Sequence, residues 1–250
     1  MLSVIIITKN EAHHIAKCLE SVAWADEIIV LDSGSEDATV AICRQFTDNV
    51  YETDWPGFGI QKQRALAKAK GDWILSVDAD EVVSSELRAG IEKAIQSETF
   101  KGYEIPRLSS YCGKPIRHGG WWPDYVLRLF RCGHGQFTDA LVHERVIVQG
   151  QIGRINSPLL HDSYVDLDEV LRKVNSYSTS GAQMLFEKGV SSSLMKAILK
   201  AFWMFLRSYV IRLAFLEGRH GLMLSISGAE VTYYKYMKLL ELNIQHKIQR

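Results

Sequence analysis

The sequence is short of several things, and each shortage excludes a class of protein. No stretch reaches the roughly 18 uncharged apolar residues of a membrane-spanning helix, so no span is expected. The four cysteines, Cys18, Cys43, Cys112 and Cys132, are widely separated and form no Cys-x-x-Cys pair. Neither a disulfide framework nor a zinc site is indicated. Cys18 and Cys43 fall in predicted helices and are expected to be buried as small apolar side chains; the compartment reads as reducing, hence cytoplasmic. Net charge is also lacking: 29 Lys and Arg face 29 Asp and Glu, so no bulk attraction to nucleic acid follows. Gly-x-Ser-x-Gly and Gly-x-x-x-x-Gly-Lys-Ser/Thr are both missing, which excludes a nucleophile elbow and a phosphate-binding P-loop. The first residues enter a strand-like run with no basic region, so no signal peptide is expected.

What is present is a globular composition, 47% hydrophobic and 23% charged, without an internal repeat or low-complexity linker. In the first hundred residues, short β-branched runs alternate with segments of helical period. Strands are expected at 3–8, 27–32, 49–52 and 73–77, with helices at 11–22, 35–46 and 61–70. Ser35 stands as a helix N-cap, and Gly71 ends the third helix. Repeated βα units imply a parallel sheet between helices, with ligands beyond the carboxyl ends of its strands. From 101 to 155, shorter pieces at 102–107, 126–131 and 145–148 suggest an antiparallel extension. Helices follow at 166–187, 191–217 and 222–244.

Three segments leave these strands with polar residues. In Ile74-Leu75-Ser76-Val77-Asp78-Ala79-Asp80-Glu81, a buried strand runs into three carboxylates. Like charges so close repel, and a divalent cation relieves the conflict. Oxygen ligands favour Mg²⁺ or Mn²⁺, and one or two carboxylates suffice when phosphate oxygens and water complete the shell. The competing explanation is an acidic turn capping the helix after Ser84. In Val30-Leu31-Asp32-Ser33-Gly34-Ser35-Glu36-Asp37-Ala38-Thr39, Asp32 ends the second strand, where its carboxylate can accept from a base N–H or a ribose hydroxyl. Gly34, Ser35 and Asp37 are explained by a turn and a capped helix, whereas Asp32 has no comparable structural reason. In Ile7-Thr8-Lys9-Asn10-Glu11, Thr8, Asn10 and Glu11 reach the same edge, or else Asn10 is an N-cap and Glu11 complements the helix dipole.

Together these segments, in this order and spacing, resemble the family 2 glycosyltransferases, which have the GT-A fold. The resemblance covers roughly residues 1–165. It implies an α/β GT-A fold, with a mixed, mostly parallel sheet between helices and a helical C-terminal extension. It also implies that Thr8, Glu11 and Asp32 hold the nucleoside, with Asn10 a donor-binding candidate at the same edge, and that Asp78 and Asp80 serve nucleotide and metal. Gly57-Phe58-Gly59-Ile60-Gln61-Lys62-Gln63-Arg64 is similar to a donor-site segment, from which Lys62 or Arg64 meets the diphosphate, or else both lie on a solvated helix face. Further on, Arg128-Leu129-Phe130-Arg131, His143-Glu144, Leu160-His161-Asp162-Ser163-Tyr164 and Phe215-Leu216-Glu217-Gly218-Arg219-His220-Gly221 resemble the branch that builds lipopolysaccharide inner core, whose members add glucose to a core heptose or act on similar glycolipids.

The implied activity is an inverting transfer of a hexose from a nucleotide sugar, UDP-glucose in this branch, to a glycolipid acceptor. Catalytic roles fall to Glu144 as general base and Asp80 through the metal. His161 is a second metal ligand or a structural histidine, and Arg128 faces the diphosphate or an acceptor phosphate. Asp139 and Asp124 rival Glu144. Residues 1–100 are expected to bind the nucleotide sugar, 101–165 to form the acceptor side, and 166–250 to be the helical extension. Residues 190–250 carry nine Lys and Arg against three Asp and Glu, and the basic, aromatic helices there suit the surface of an anionic bilayer at the inner face of the cytoplasmic membrane. Packing on the domain or in a homo-oligomer is the alternative. Two other functions share features with this reading: a sugar-nucleotide pyrophosphorylase and a non-catalytic membrane scaffold. The first lacks its Gly-rich nucleotide loop, and the second has no need of Asp78 and Asp80 together.

Overall fold

The computed structural model describes residues 1–138 and 145–248. The chain divides into two compact units, one of Met1–Leu108 with Asp124–His161 and one of Ser109–Pro123 with Asp162–Arg250.

The first unit opens with β1 (Leu2–Thr8), α1 (Ile15–Val22), β2 (Glu27–Asp32), α2 (Thr39–Cys43), β3 (Val50–Glu52), α3 (Phe58–Leu66) and β4 (Trp73–Asp78). The parallel order is β3-β2-β1-β4. Every residue of β1 is buried, because both faces of a βα sheet are covered. Leu2, Val4 and Ile6 enter one apolar layer with Ile15, Cys18, Leu19 and Val22 of α1. Ile5 and Ile7 enter the opposite layer with Ala65 and Leu66 of α3. Gly71 reaches β1 closely: a Cβ there would lie 2.7 Å from the Ser3 backbone nitrogen.

The helices begin later than their periodicity suggests. α1 starts at Ile15 after His14, which makes no side-chain cap, so Asn10 is not its N-cap. α2 starts at Thr39, and Ser35 hydrogen-bonds Asp32 instead of capping a helix. Both displaced polar residues shape the loops that leave the sheet.

After β4 come β5 (Glu81–Val83), α4 (Ser85–Ala94), β6 (Gly102–Tyr111), β7 (Lys114–Pro115), β8 (Asp124–Arg131), β9 (Gly135–Phe137), β10 (Val146–Val148), β11 (Ile152–Arg154) and β12 (Leu159–Tyr164). β8 lies antiparallel between β4 and β6, the expected extension, while β11 joins β6 in parallel. β12 pairs antiparallel with β5 and sets His161 opposite Glu81. Cys18 and Cys43 are buried, and all four cysteines are free thiols.

The second unit is mainly helical: α5 (Leu167–Glu187), α6 (Leu194–Leu206) and α7 (Arg219–Ile248). Asp166 caps α5 by accepting from Glu169 N at 2.8 Å, and the Glu169 carboxylate reaches back to Val165 N at 2.8 Å. The single helix expected at 191–217 is broken. After α6 come a π-helical turn at Arg207–Ile211, Leu213 in left-handed backbone, and a 3₁₀ turn at Ala214–Glu217. Glu217 is buried and accepts from Arg117 N at 2.9 Å, with Lys114 at 2.9 Å and His118 at 2.7 Å. Burial would raise its carboxyl, but the hydrogen bonds from Lys114 and His118 outweigh that and hold it at about 2. No helix of the described residues is long and apolar enough to cross a membrane.

Candidate active site

The parallel register brings three strand ends to one edge of the first unit. Thr8 pairs with Asp32 and Ile7 with Asp78, so the residues picked out at the ends of β1, β2 and β4 are neighbours. Crevices beyond the carboxyl ends of such strands are where ligands bind.

Asp78 is the hub of a charged cluster. Its Oδ1 lies 2.8 Å from Lys62 Nζ, and its Oδ2 accepts from Arg128 Nη2. The same Arg128 nitrogen donates to Glu81 Oε1 at 2.5 Å, while Glu81 Oε2 accepts from Asp78 N at 2.9 Å. Arg107 Nη1 stands 3.8 Å from Glu81. Arg107 also grips Asp124 from Nε at 3.0 Å and Nη2 at 2.7 Å; the two residues are directly opposed in the β6–β8 register, which brings cross-strand charges together. Burial alone would raise the Asp78 carboxyl, but Arg128 and Lys62 outweigh it and hold it well below the carboxylate range. Burial pushes the Glu81 carboxyl up against the pull of Arg128, and the nearby Asp78 adds to the rise. Arg128 stays charged: burial opposes its charge, but Asp78 and Glu81 more than compensate. Both oxygens of Asp78 are thus engaged by cations.

Asp80 is the accessible carboxylate. Its side chain is 27% exposed, and its Oδ2 lies 3.2 Å from His161 Nε2. The β5–β12 pairing positions that histidine. Among the described residues no three His, Cys, Asp or Glu side chains gather into a metal cage. An oxygen and an imidazole nitrogen nonetheless fit a divalent ion that draws its other ligands from a diphosphate and water. The imidazole favours Mn²⁺ over the oxygen-seeking Mg²⁺. The acidic-turn explanation loses ground here, because α4 is capped by Ser84, whose Oγ accepts from Leu87 N at 3.2 Å, and not by the carboxylates.

The other candidates separate. Thr8 Oγ1 is buried with no hydrogen-bond partner among the described residues, an acceptor and donor left for a ligand. Asp32 does have a structural reason, contrary to the sequence reading. Its Oδ1 accepts from Gly34 N at 2.9 Å and Ser35 N at 2.7 Å, and its Oδ2 from Ser35 Oγ. It is an Asx-type turn anchor, completely buried. Asn10 has φ of 56°; its Oδ1 accepts from Glu36 N at 2.8 Å. Glu11 N donates to Thr39 Oγ1 at 2.8 Å, and its carboxylate faces His14 at 3.1 Å. Of the α3 cations, Lys62 joins the cluster and Arg64 does not: Arg64 pairs with Asp54 at 2.6 Å on the surface. Asp124 is held by Arg107. Glu144 and Asp139 lie outside the described residues. Glu81 and Arg107 were not singled out from sequence, although Glu81 in a run of three acids was the available signal.

The profile of Glycosyl transferase family 2 matches residues 3–113. A Rhizobium meliloti protein named lipopolysaccharide core biosynthesis glycosyltransferase LpsC is 31% identical over 254 residues, spanning 96% of this chain and 92% of its own. An uncharacterized glycosyltransferase of Rickettsia felis is 31% identical over 261 residues, covering 98% and 92%. Among solved structures, S. aureus TarS 1-349 in complex with UDP-GlcNAc superposes at a TM-score of 0.50 with 15% identity, covering 98% of this chain and 92% of that one, a likeness of fold. With the strand-end geometry and the coverage of these relatives, the chain belongs to glycosyl transferase family 2 and is a glycosyltransferase of GT-A fold.

Proposed function

We propose that the protein is an inverting, metal-dependent hexosyltransferase that moves glucose from UDP-glucose to a lipopolysaccharide core sugar such as heptose. The observation that carries this is the accessible Asp80–His161 pair beside the Asp78–Lys62–Arg128 cluster, at the edge where Thr8 has a buried hydroxyl unpartnered among the described residues. A bound Mn²⁺ or Mg²⁺ would be held by Asp80 and His161 and would supply charge neutralisation for the diphosphate. Lys62 and Arg128 fix Asp78 and add positive charge to the same edge, against the charge that grows on the leaving diphosphate. Thr8 offers its hydroxyl to the nucleoside. The acceptor oxygen forms the new bond to the anomeric carbon as the carbon–oxygen bond to UDP breaks, with inversion, and Glu144 takes the acceptor proton. Transfer of labelled glucose from UDP-glucose to a core oligosaccharide tests the reading; no transfer, with UDP binding intact, would overturn the assignment of sugar and acceptor.

Glu144→Gln is expected to leave UDP affinity unchanged and to lower transfer by about 10²–10⁴-fold, the range of general base catalysis. A fully active variant would remove Glu144 from that role.

In this reading residues 1–100 hold the donor, 101–165 form the acceptor side and 166–250 meet an anionic bilayer from its cytoplasmic side. α6 supports the last part. Ile198, Leu199, Phe202 and Trp203 are exposed, the last two at 60% and 54%, and Lys200 is exposed among them. Cations interspersed with aromatic residues suit acidic lipid head groups. Phe202→Ser with Trp203→Ser should weaken binding to anionic vesicles by about tenfold or more, since each side chain contributes about 1.5–3 kcal/mol when buried, without loss of thermal stability. Unchanged vesicle binding, with a monomer forming from a wild-type dimer, would assign the face to a second copy instead.

A further inference from the structure

The second unit carries a cavity that the donor chemistry does not use. It holds about 370 Å³, and Arg207, Arg212 and Lys235 reach its wall with no carboxylate among the lining residues. None of the three forms an ion pair among the described residues. Like charges gathered around a concave space repel one another, and an anion offsets them. Arg207 and Arg212 are exposed and Lys235 is half-buried, so these charges are open to solvent and to an incoming anion.

The backbone that presents these cations is specific to the place. Arg207 opens the π-helical turn, a wider turn that recurs at functional sites. Leu213, just past Arg212, has φ of 60°. Gly119 and Gly120, at φ of 73° and 86°, let the chain run against Arg212. Gly119 N donates to Arg212 O at 2.7 Å, and a Cβ on Gly120 would overlap the Arg212 guanidinium. The arginine is therefore set against a glycine pair whose left-handed backbone disfavours bulkier residues. A second wall is aromatic: the Trp121 ring lies 6.0 Å from Tyr111 and 5.8 Å from Tyr164. Flat ring faces suit the C–H face of a sugar. Ser208 Oγ also lines the wall, 3.0 Å from Ser225 Oγ, which lies 2.8 Å from Gly221 O.

We propose that this cavity binds a phosphorylated sugar, with the phosphate against Arg207, Arg212 and Lys235 and the ring against Trp121 and Tyr164. The inference rests on the transferase reading in one respect only: it makes this the phosphate-bearing part of the glycolipid acceptor. A site for anionic sugar on a unit that also exposes apolar side chains along α6 fits an acceptor with a phosphorylated head and a lipid tail.

Calorimetric titration of a hexose 1-phosphate into the full chain tests it, with inorganic phosphate and with phosphatidylcholine vesicles with and without phosphatidic acid as parallel probes. Arg207→Gln with Arg212→Gln should weaken the hexose phosphate by about 100-fold, about tenfold for each charge-assisted hydrogen bond lost. Gly228→Leu, which fills the cavity and leaves its charges in place, should weaken it as well; the Cβ of residue 228 has room, with Met204 Cγ at 3.8 Å. Lys188→Gln, an exposed cation outside the lining, should bind as the wild type does. Equal affinity in wild type and the double variant, or no binding of hexose phosphate by the wild type, would overturn the proposal. Capture by phosphatidic acid vesicles without affinity for hexose phosphate would also overturn it, by replacing the sugar with a phospholipid head group. Titrating UDP with Mn²⁺ into the same proteins separates the two readings. UDP affinity should be unchanged in the cavity variants, whereas a wild type that fails to bind UDP would refute the donor assignment and leave the cavity result standing.

Discussion

Asp80→Ala is expected to abolish metal-dependent UDP binding and to lower transfer by about 10²–10⁴-fold, while the protein stays folded. The two halves of that expectation come from the same geometry. Asp80 is the partly exposed carboxylate just past the end of β4, its side-chain partner among the described residues being His161 at 3.2 Å. Asp78 has both oxygens on Lys62 and Arg128, and Glu81 is wholly buried under Arg128. Loss of Asp80 therefore removes the oxygen donor available to a cation and leaves the buried network untouched. A metal that neutralises a leaving diphosphate contributes several kcal/mol to the transition state, and each 1.4 kcal/mol is tenfold in rate. The structural cost is small, because a partly exposed pair contributes about 0–1 kcal/mol. Titration of UDP with Mn²⁺ and then with EDTA reads the effect directly. If the variant binds UDP with the same Mn²⁺ dependence as the wild type, Asp80 is not the metal ligand. His161→Ala should show the same defect in weaker form, since one donor would remain.

The parallel strands were legible because their information is local. Runs such as Ser-Val-Ile-Ile-Ile-Thr have no polar face, and only a strand covered on both sides accepts them. Once β1, β2 and β4 are parallel, their carboxyl ends must share an edge, so Thr8, Asp32 and Asp78 follow. What local pattern does not carry is register. His161 reaches Asp80 because β12 pairs with β5 across 80 residues, and Arg107 reaches Asp124 because β6 and β8 are aligned as they are. Lys62 and Arg64 were equivalent in the sequence; a rotation of two residues along α3 puts the first on Asp78 and the second on Asp54. Loop chemistry misled in a different way. Asp32 looked free of structural duty because its duty is to the amides of Gly34 and Ser35, and the same polar residues can cap a helix or tighten a turn. The break after Leu206 has no glycine or proline to announce it before Gly218.

Arg128→Met should destabilise the protein by about 3–5 kcal/mol at pH 7, the cost of removing one partner from a buried ion pair, and the loss should shrink as the pH falls toward 5. Arg128 is 8% exposed and joins Asp78 to Glu81. Without it, Lys62 still holds Asp78, while Glu81 keeps the Asp78 amide at 2.9 Å and Arg107 at 3.8 Å. Glu81 then faces the Asp78 carboxylate with Arg107 at 3.8 Å in place of the guanidinium at 2.5 Å. The sign of the pH effect follows from which state holds more protons. In the wild type, Asp78 sits below its ordinary 3.8, so its stabilisation is present above that value and is lost as pH falls through it. Glu81 already lies above its ordinary 4.5, and removing the guanidinium raises it further. The folded variant then binds a proton more readily than the unfolded chain, so its stability increases as pH falls from 7 and levels off below about 4.5. Urea unfolding at pH 7 and pH 5 measures both the size and the slope. Arg128→Lys, which keeps the charge but not the forked donor, should fall between the two and serves if the methionine variant does not fold. A deficit of the same size at both pH values would show that Arg128 stabilises by packing alone, and one below about 1 kcal/mol would show that the cluster does not need it.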